Sequence, residues 1–185
     1  MRLEGMHHIT IITGDANTNV AFYADVLGLR MVKKTVNFDA PEAYHLYFGD
    51  EHGSPGSILT WFEFAGARRR RAGAGMIHTI QLGVASEASL DFWSDRLAAE
   101  GYAGERGERS LTFEDYDALR FELVVAGVLF EIATTSPGFA VDEDPEHLGE
   151  DLRLPTQHEH LRPQLERLLT PLTNPRVAQR AEAWS

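Results

Sequence analysis

Residues 8–13 and 78–84 each alternate apolar or small side chains with other types, the period-two pattern of a half-buried strand. Each run meets a polar break, Gly14-Asp15 in one case and Ser86-Glu87 in the other, of the kind that starts a helix. Beyond the breaks, apolar residues recur at three- and four-residue spacing: Val20, Tyr23 and Leu27, then Leu90, Trp93 and Leu97. That spacing puts each trio on one helix face, and the helices end at Gly28 and Gly101. Strand-like runs bounded by turn residues follow, at 30–38, 44–48 and 57–64 in the first copy and at 110–113, 119–125 and 128–134 in the second. The pattern predicts an α+β fold of two βαβββ modules, over residues 1–64 and 76–135. Residues 65–75 link them, and residues 136–185 add a C-terminal arm and a helix from about 159 to 169.

The two copies are related in sequence as well as in pattern. A shift of 70 positions lays His8 on His78, Val20 on Leu90, Phe22 on Phe92, Tyr23 on Trp93, Asp25 on Asp95 and Leu27 on Leu97. The linker carries four arginines at 68–71. In an otherwise acidic chain they read as a solvated connection, not as a nucleic-acid patch. The arm is acidic and punctuated by proline (Asp142-Glu143-Asp144-Pro145), which suits a wrapping or dimerisation element.

Composition narrows the chemistry. The 185 residues are 43% apolar and 10% aromatic, enough for one core or two small modules. A formal net charge of -11 argues against nucleic acid or an anionic membrane as partner. There is no cysteine, so disulfides, thiolate metal sites and cysteine nucleophiles are excluded, and a metal would have to be held by imidazole and carboxylate. No signal-like start and no apolar run of about 18 residues is present, which predicts a cytoplasmic protein that does not span a membrane.

His8 and His78 begin repeated strands, and residues at equivalent places in repeated modules can meet across a pseudo-symmetry axis. Two imidazoles and one carboxylate, with coordination positions left open, is the arrangement of iron(II) oxygenases. Glu131 lies in the apolar run Val128-Leu129-Phe130-Glu131-Ile132-Ala133, where a charge is costly unless paired or bound to metal. A lone histidine at a strand start is more often a hydrogen-bonded core residue, and a lone strand glutamate more often faces water. Their joint occurrence in a repeat favours the metal reading.

The runs Met6-His7-His8-Ile9-Thr10, Val26-Leu27-Gly28-Leu29-Arg30, Val32-Lys33-Lys34-Thr35-Val36-Asn37-Phe38-Asp39, Tyr44-His45-Leu46-Tyr47-Phe48-Gly49-Asp50 and Phe130-Glu131-Ile132-Ala133-Thr134 resemble the hydroquinone- and catechol-cleaving branch of the vicinal oxygen chelate superfamily. The resemblance implies a metal cleft formed by paired βαβββ modules. It also implies iron(II), or manganese(II) on the same ligands, held by His8, His78 and Glu131, and a ring-cleaving dioxygenase acting on an aromatic diol with O2. A proton acceptor is needed near the metal; the candidates are His7, His45, Tyr116 and Arg120. Members of the branch usually carry four modules, whereas this chain has room for two, and the transfer of His78 rests on the repeat. Fewer modules leave sheet edges or faces to cover, so a homodimer or higher homo-oligomer is expected.

Two other functions fit the same fold. A glyoxalase-type lyase or isomerase would need a fourth protein ligand, from the last strand of the first module. Matching Gly56 with Gly127 sets Thr60, a poor ligand, opposite Glu131, and Glu63 would fit only after a three-residue shift that turns it to the other face. A metal-free resistance protein that binds a small molecule would leave the His-His-Glu set without a purpose. The run His158-Glu159-His160 is read as solvated surface, since residues two apart on a helix do not share a face.

Overall fold

The computed structural model describes residues 7–69, 71, 73, 76–125, 143–172 and 174–177. The chain divides into two compact units, Met1–Ala67 together with Glu131–Ser185, and Arg68–Phe130. Among the described residues no helix is long and apolar enough to cross a membrane.

In the first unit, β1 (Ile9–Thr13) leads into α1 (Ala16–Val20), which continues as a π-helical stretch Ala21–Val26; β2 (Arg30–Val36), β3 (Tyr44–Gly49) and β4 (Leu59–Glu63) follow. The sheet order is β1-β4-β3-β2, with β1 and β4 parallel and the other neighbours antiparallel. The Gly14-Asp15 break acts as expected: Asp15 Oδ1 accepts from the Thr18 amide at 2.7 Å, and Gly28 ends the helix at φ 67°. Glu63 also serves the helix start, its Oε1 accepting from the Ala16 amide at 2.9 Å. One sheet face packs on this helix through Tyr44, Leu46, Phe48 and Trp61, all buried, with the Tyr23 and Trp61 ring centroids 3.9 Å apart. The opposite face carries His45, Tyr47 and Phe62, which are half-buried; we call it the open face.

The arm wraps this unit along the β2 edge. Leu152 bridges to Lys34, the Arg153 amide donates to the Lys34 carbonyl at 2.8 Å, and Lys34 Nζ donates to the Glu150 carbonyl at 2.9 Å. Arg30 reaches the Pro145 carbonyl, and Tyr44 donates to the Thr170 carbonyl at 3.1 Å. Gly149, at φ 72°, lies so close to Met31 that a Cβ there would collide with the Met31 carbonyl. A 3-10 turn, Thr156–Leu161, runs into α3 (Arg162–Leu168), matching the helix expected near 159–169. The arm thus blunts an edge strand that would otherwise be open to pairing, and this takes away part of the reason for expecting self-association.

The second unit repeats the topology: β5 (Thr79–Val84), α2 (Glu87–Ala99), β6 (Glu105–Arg106), β7 (Ser110–Glu114) and β8 (Arg120–Val125), in the order β5-β8-β7-β6 with β5 and β8 parallel. Ser86 caps α2 from the Ser89 amide and Gly101 ends it at φ 85°. The core is formed by Leu90, Leu97, Leu111, Phe113, Phe121 and Leu123, all buried. Two sequence expectations need correcting. The sheet starts its return with the short β6, which the sequence pattern did not mark, and β8 occupies the place that β4 holds in the first unit; the strand expected at 128–134 lies outside the described residues.

The second correction concerns the repeat. Along β1 the more buried positions are Ile9, Ile11 and Thr13; along β5 they are Ile80, Leu82 and Val84. Matching faces therefore requires a shift of 71, Ile9 onto Ile80, and the helix caps Asp15 and Ser86 keep the same shift. At Leu27 and Leu97, both buried, the shift has become 70. The first helix holds one residue more, and the π-helical stretch absorbs it: the Leu27 amide bonds to the Phe22 carbonyl, five residues back, at 3.0 Å. A one-residue slip reverses the faces of a strand, so the counterpart of His8 is Thr79, and that of His78 is His7.

Candidate functional site

The open face of the first unit gathers most of the polar aromatic chemistry. β1 begins at Ile9, so His7 and His8 precede the strand and are free of its alternation. Their rings meet with Nδ1 to Nδ1 at 2.6 Å, which requires one ring to donate and the other to accept. Both are exposed, and burial of the His8 ring, with His7 beside it, lowers its pKa below the ordinary imidazole value. The His8 ring stands 6.4 Å from that of Tyr47.

His45 and Tyr47 alternate with the buried Tyr44, Leu46 and Phe48 along β3, so the strand's own period turns both to the open face. Burial raises the Tyr47 phenol to about 12, and it stays protonated at neutral pH. Burial, then His8 and then Lys33, lower His45 to about 4, and it stays neutral. The 3.1 Å contact between the Tyr47 hydroxyl and His45 Nδ1 therefore has the phenol donating. His45 Nε2 then carries the hydrogen; it is buried and finds no hydrogen-bond partner among the described residues. Phe62, opposite His45 on β4, stacks on the imidazole at 3.9 Å between centroids. A cavity of about 680 Å³ opens over this face, with Lys33, His45, Tyr47 and Phe62 on the sheet side and Arg153 and Glu159 on the arm side.

Neighbouring positions settle the roles of Thr60 and Glu63. Thr60, fully buried, donates to the Thr10 hydroxyl at 2.9 Å. Glu63 is committed to the Ala16 amide, and its charge helps hold the Tyr44 phenol, whose burial is the larger cause, at about 12. This places Glu63 with the helix-facing side chains, as the three-residue argument from sequence required.

In the second unit, His78 is exposed, with Nδ1 2.8 Å from the Thr79 hydroxyl. Tyr116 lies in the turn between β7 and β8, and Arg120 opens β8; both line a cavity of about 420 Å³ together with Tyr102 and Glu114. That turn is tight: Asp115, buried, accepts from the Asp117 and Leu119 amides, and Ala118 takes φ 62°. Sequence reasoning missed Glu122. It is paired across β5 and β8 with Gln81 at 2.7 Å, and these two correspond to Thr60 and Thr10. The signal was present, since Phe121-Glu122-Leu123 and Phe130-Glu131-Ile132 are near copies nine positions apart. Glu131 itself lies outside the described residues, and among those described no three histidine, aspartate or glutamate side chains cluster as a metal cage.

Compared with known proteins, the chain matches the Glyoxalase/Bleomycin resistance protein/Dioxygenase superfamily over residues 5–123. It belongs to that superfamily. Among the superfamily proteins it resembles is the Bacillus subtilis (strain 168) protein named "Putative ring-cleaving dioxygenase MhqE", 45% identical over 123 residues, which are 64% of this chain and 40% of that one. The chlorohydroquinone/hydroquinone 1,2-dioxygenase of Sphingobium indicum is 39% identical over 132 residues, 66% of this chain and 40% of that protein. The chain thus spans well under half the length of these relatives. A crystal structure described as a "putative dioxygenase" from Bacillus subtilis superposes with a TM-score of 0.82 at 26% identity, covering 92% of this chain and 98% of that one. The two four-stranded mixed sheets, each with its helix, are the fold of the superfamily.

Proposed function

We propose that this chain is an iron(II)-dependent, extradiol-type dioxygenase that cleaves a catechol or hydroquinone ring with O2. His8, His78 and Glu131 hold the metal in this reading, and manganese(II) could take the same ligands. The observation that carries it is the first unit's open face: a histidine just ahead of β1 stands beside a Tyr47–His45 pair at an aromatic-lined cavity of about 680 Å³. Support comes from the names of relatives at 45% and 39% identity.

The donors suit the metal as far as the described residues go. With His8 Nδ1 engaged by His7, Nε2 is the His8 nitrogen left for a metal, and an imidazole and carboxylate set without thiolate matches iron(II) or manganese(II). Bound there, iron(II) would supply the Lewis acidity and redox chemistry that make a diol reactive toward O2. The chain's own groups do the rest. His7, exposed and in contact with the His8 ring, is placed to accept a diol proton and to orient His8. His45 is a weak base at about 4, so its role is to fix the Tyr47 phenol as a donor and to give the ring a neutral, partly dry floor. Tyr116 and Arg120 belong to the second unit's cavity and could act on a ring only from there. Assembly as a homodimer or higher oligomer stays part of the proposal.

A four-ligand lyase loses its best candidate with Glu63, which is occupied at the α1 start. The test is O2 consumption after anaerobic iron(II) loading, with a panel of catechols and hydroquinones, comparing the wild type with Glu131→Ala. Uptake with a ring-cleaved product that vanishes in the variant is expected. No uptake on any diol, with nickel or zinc supporting hemithioacetal isomerisation instead, would overturn the proposal.

A further inference from the structure

A β-bulge decides which lysine faces the cavity. On β2, Met31 pairs with Phe48, but Lys33, not Val32, pairs with Tyr47, so one extra residue is inserted between them. From there on the faces of the strand are exchanged: Lys33 and Thr35 join Tyr47 and His45 on the open face, while Lys34 pairs with the buried Leu46 and turns to the Glu150 carbonyl. Without the bulge, alternation would put Lys34 opposite His45 and turn Lys33 toward the helix. Val32 anchors the bulge, fully buried against Ile58 and the arm residue Leu148.

The arm brings a second cation to the same place. The Arg153 amide is bonded to the Lys34 carbonyl, so its side chain enters the cavity wall beside β2. Glu143, buried, lies 3.7 Å from Arg153 Nε, and the nearby charges of Arg153 and Lys33 both act on it. The Lys33 ammonium also stands close enough to His45 to depress it. Of the nearby acids, Glu159 is taken up by two bonds from Arg162 at 2.9 and 2.8 Å, Glu143 and Asp151 each lie 3.7 Å from the Arg153 guanidinium, and Asp39 is the other acid in the wall. The aromatic surface is Phe62 on His45, with Phe38, 63% exposed, at the rim. In a chain of net charge -11, two cations are thus gathered beside an aromatic floor.

We propose that this cavity selects an aromatic ring bearing a carboxylate, with Lys33 and Arg153 receiving the anion while the ring lies on the Phe62–His45 stack. That the ring is a diol rests on the function proposed above; the preference for an acid does not. The test is calorimetric titration of the full chain, without added metal and with anaerobic iron(II), using 2,5-dihydroxyphenylacetate, its methyl ester and hydroquinone as probes. The acid should bind about tenfold more tightly than the ester at low salt, and the gap should narrow as salt is raised, as expected for charge-assisted contacts. Lys33→Met and Arg153→Met should each reduce the preference, and the double variant, checked for native circular dichroism, should bind acid and ester alike. An ester that binds as well as the acid, a preference that survives in the double variant, or no binding of any probe would overturn the proposal. Selection of the acid without O2 uptake would uphold this inference and count against the dioxygenase.

Discussion

The two units share a topology but not the chemistry of their open faces. In corresponding places on adjacent parallel strands, the first has the hydroxyl pair Thr10 and Thr60 at 2.9 Å, and the second has Gln81 and Glu122 at 2.7 Å. Where the first unit has His8 just ahead of β1, the second has Thr79 as the opening residue of β5. The described part of the arm wraps the first unit and turns a bare sheet face there into a walled cavity. The lesson is that a βαβββ unit is a scaffold whose helix-facing residues are under packing constraint, while its open face is free to diverge.

The sharpest way to break this comparison is to truncate these two residues at the starts of β1 and β5. His8→Ala should lower O2 uptake by more than about 100-fold, beyond the range of outer-shell partners, whereas Thr79→Ala should change it little. Equal losses in oxygen-electrode assays would mean that the two units contribute alike. The scaffolds themselves should respond alike. Trp61→Ala, in the first core, should cost about 3–5 kcal/mol and Leu111→Ala, in the second, about 2–5 kcal/mol, read as shifts of the urea midpoint.

Acidification should act on the first unit in particular. His45, packed among Tyr47, Phe62, His8 and Lys33, is held at about 4 in the folded chain against an ordinary value of 6.5. The unfolded chain therefore takes up the proton first, and stability that is full above pH 6.5 is lost as the pH falls toward about 4. Urea titrations at pH 7.5 and pH 5 should show a larger drop for the wild type than for His45→Phe, to about the extent that this one group contributes. An equal drop would assign the acid sensitivity elsewhere. The smallest effects are expected from the two strand glutamates. Glu63→Gln should cost about 0.5–1 kcal/mol, the value of a charge at a helix start, and Glu122→Gln less, since the amide oxygen can still accept from Gln81 Nε2 and only the charge is lost. Both should retain O2 uptake; its loss in Glu122→Gln would move the metal carboxylate from Glu131 to Glu122.

Much of the scaffold was legible before any coordinates. Apolar spacing marked both helices through Val20, Leu27, Leu90 and Leu97, and the glycines at 28 and 101 marked their ends, because a helix needs a buried stripe and a left-handed exit. Strand alternation around His45 and Tyr47 held, and the reasoning that kept Glu63 off the ligand face agrees with its bond to Ala16. The first return strand of the second unit was missed, since β6 is two residues long and carries no pattern of its own. The histidine register was misjudged by one for a related reason. A shift of 71 fits the strand and the helix cap, whereas 70 fits Leu27 and Leu97 beyond the π-helical turn, which adds one residue and is invisible in the spacing of apolar residues.

The sequence by itself determined the two βαβββ units, their helix limits, and the absence of thiolate chemistry. These follow from local periodicity and composition, which each segment carries whatever surrounds it. Only the tertiary structure decided that His7 and His8 touch, that His45 is neutral, that a bulge turns Lys33 toward the cavity, and that the arm closes the cavity wall beside β2. The last three depend on register between strands and on packing by residues more than 100 positions away, as in the bond from His158 to the Phe38 carbonyl, 120 positions apart. Register and burial are properties of pairs of segments, and no single segment contains them.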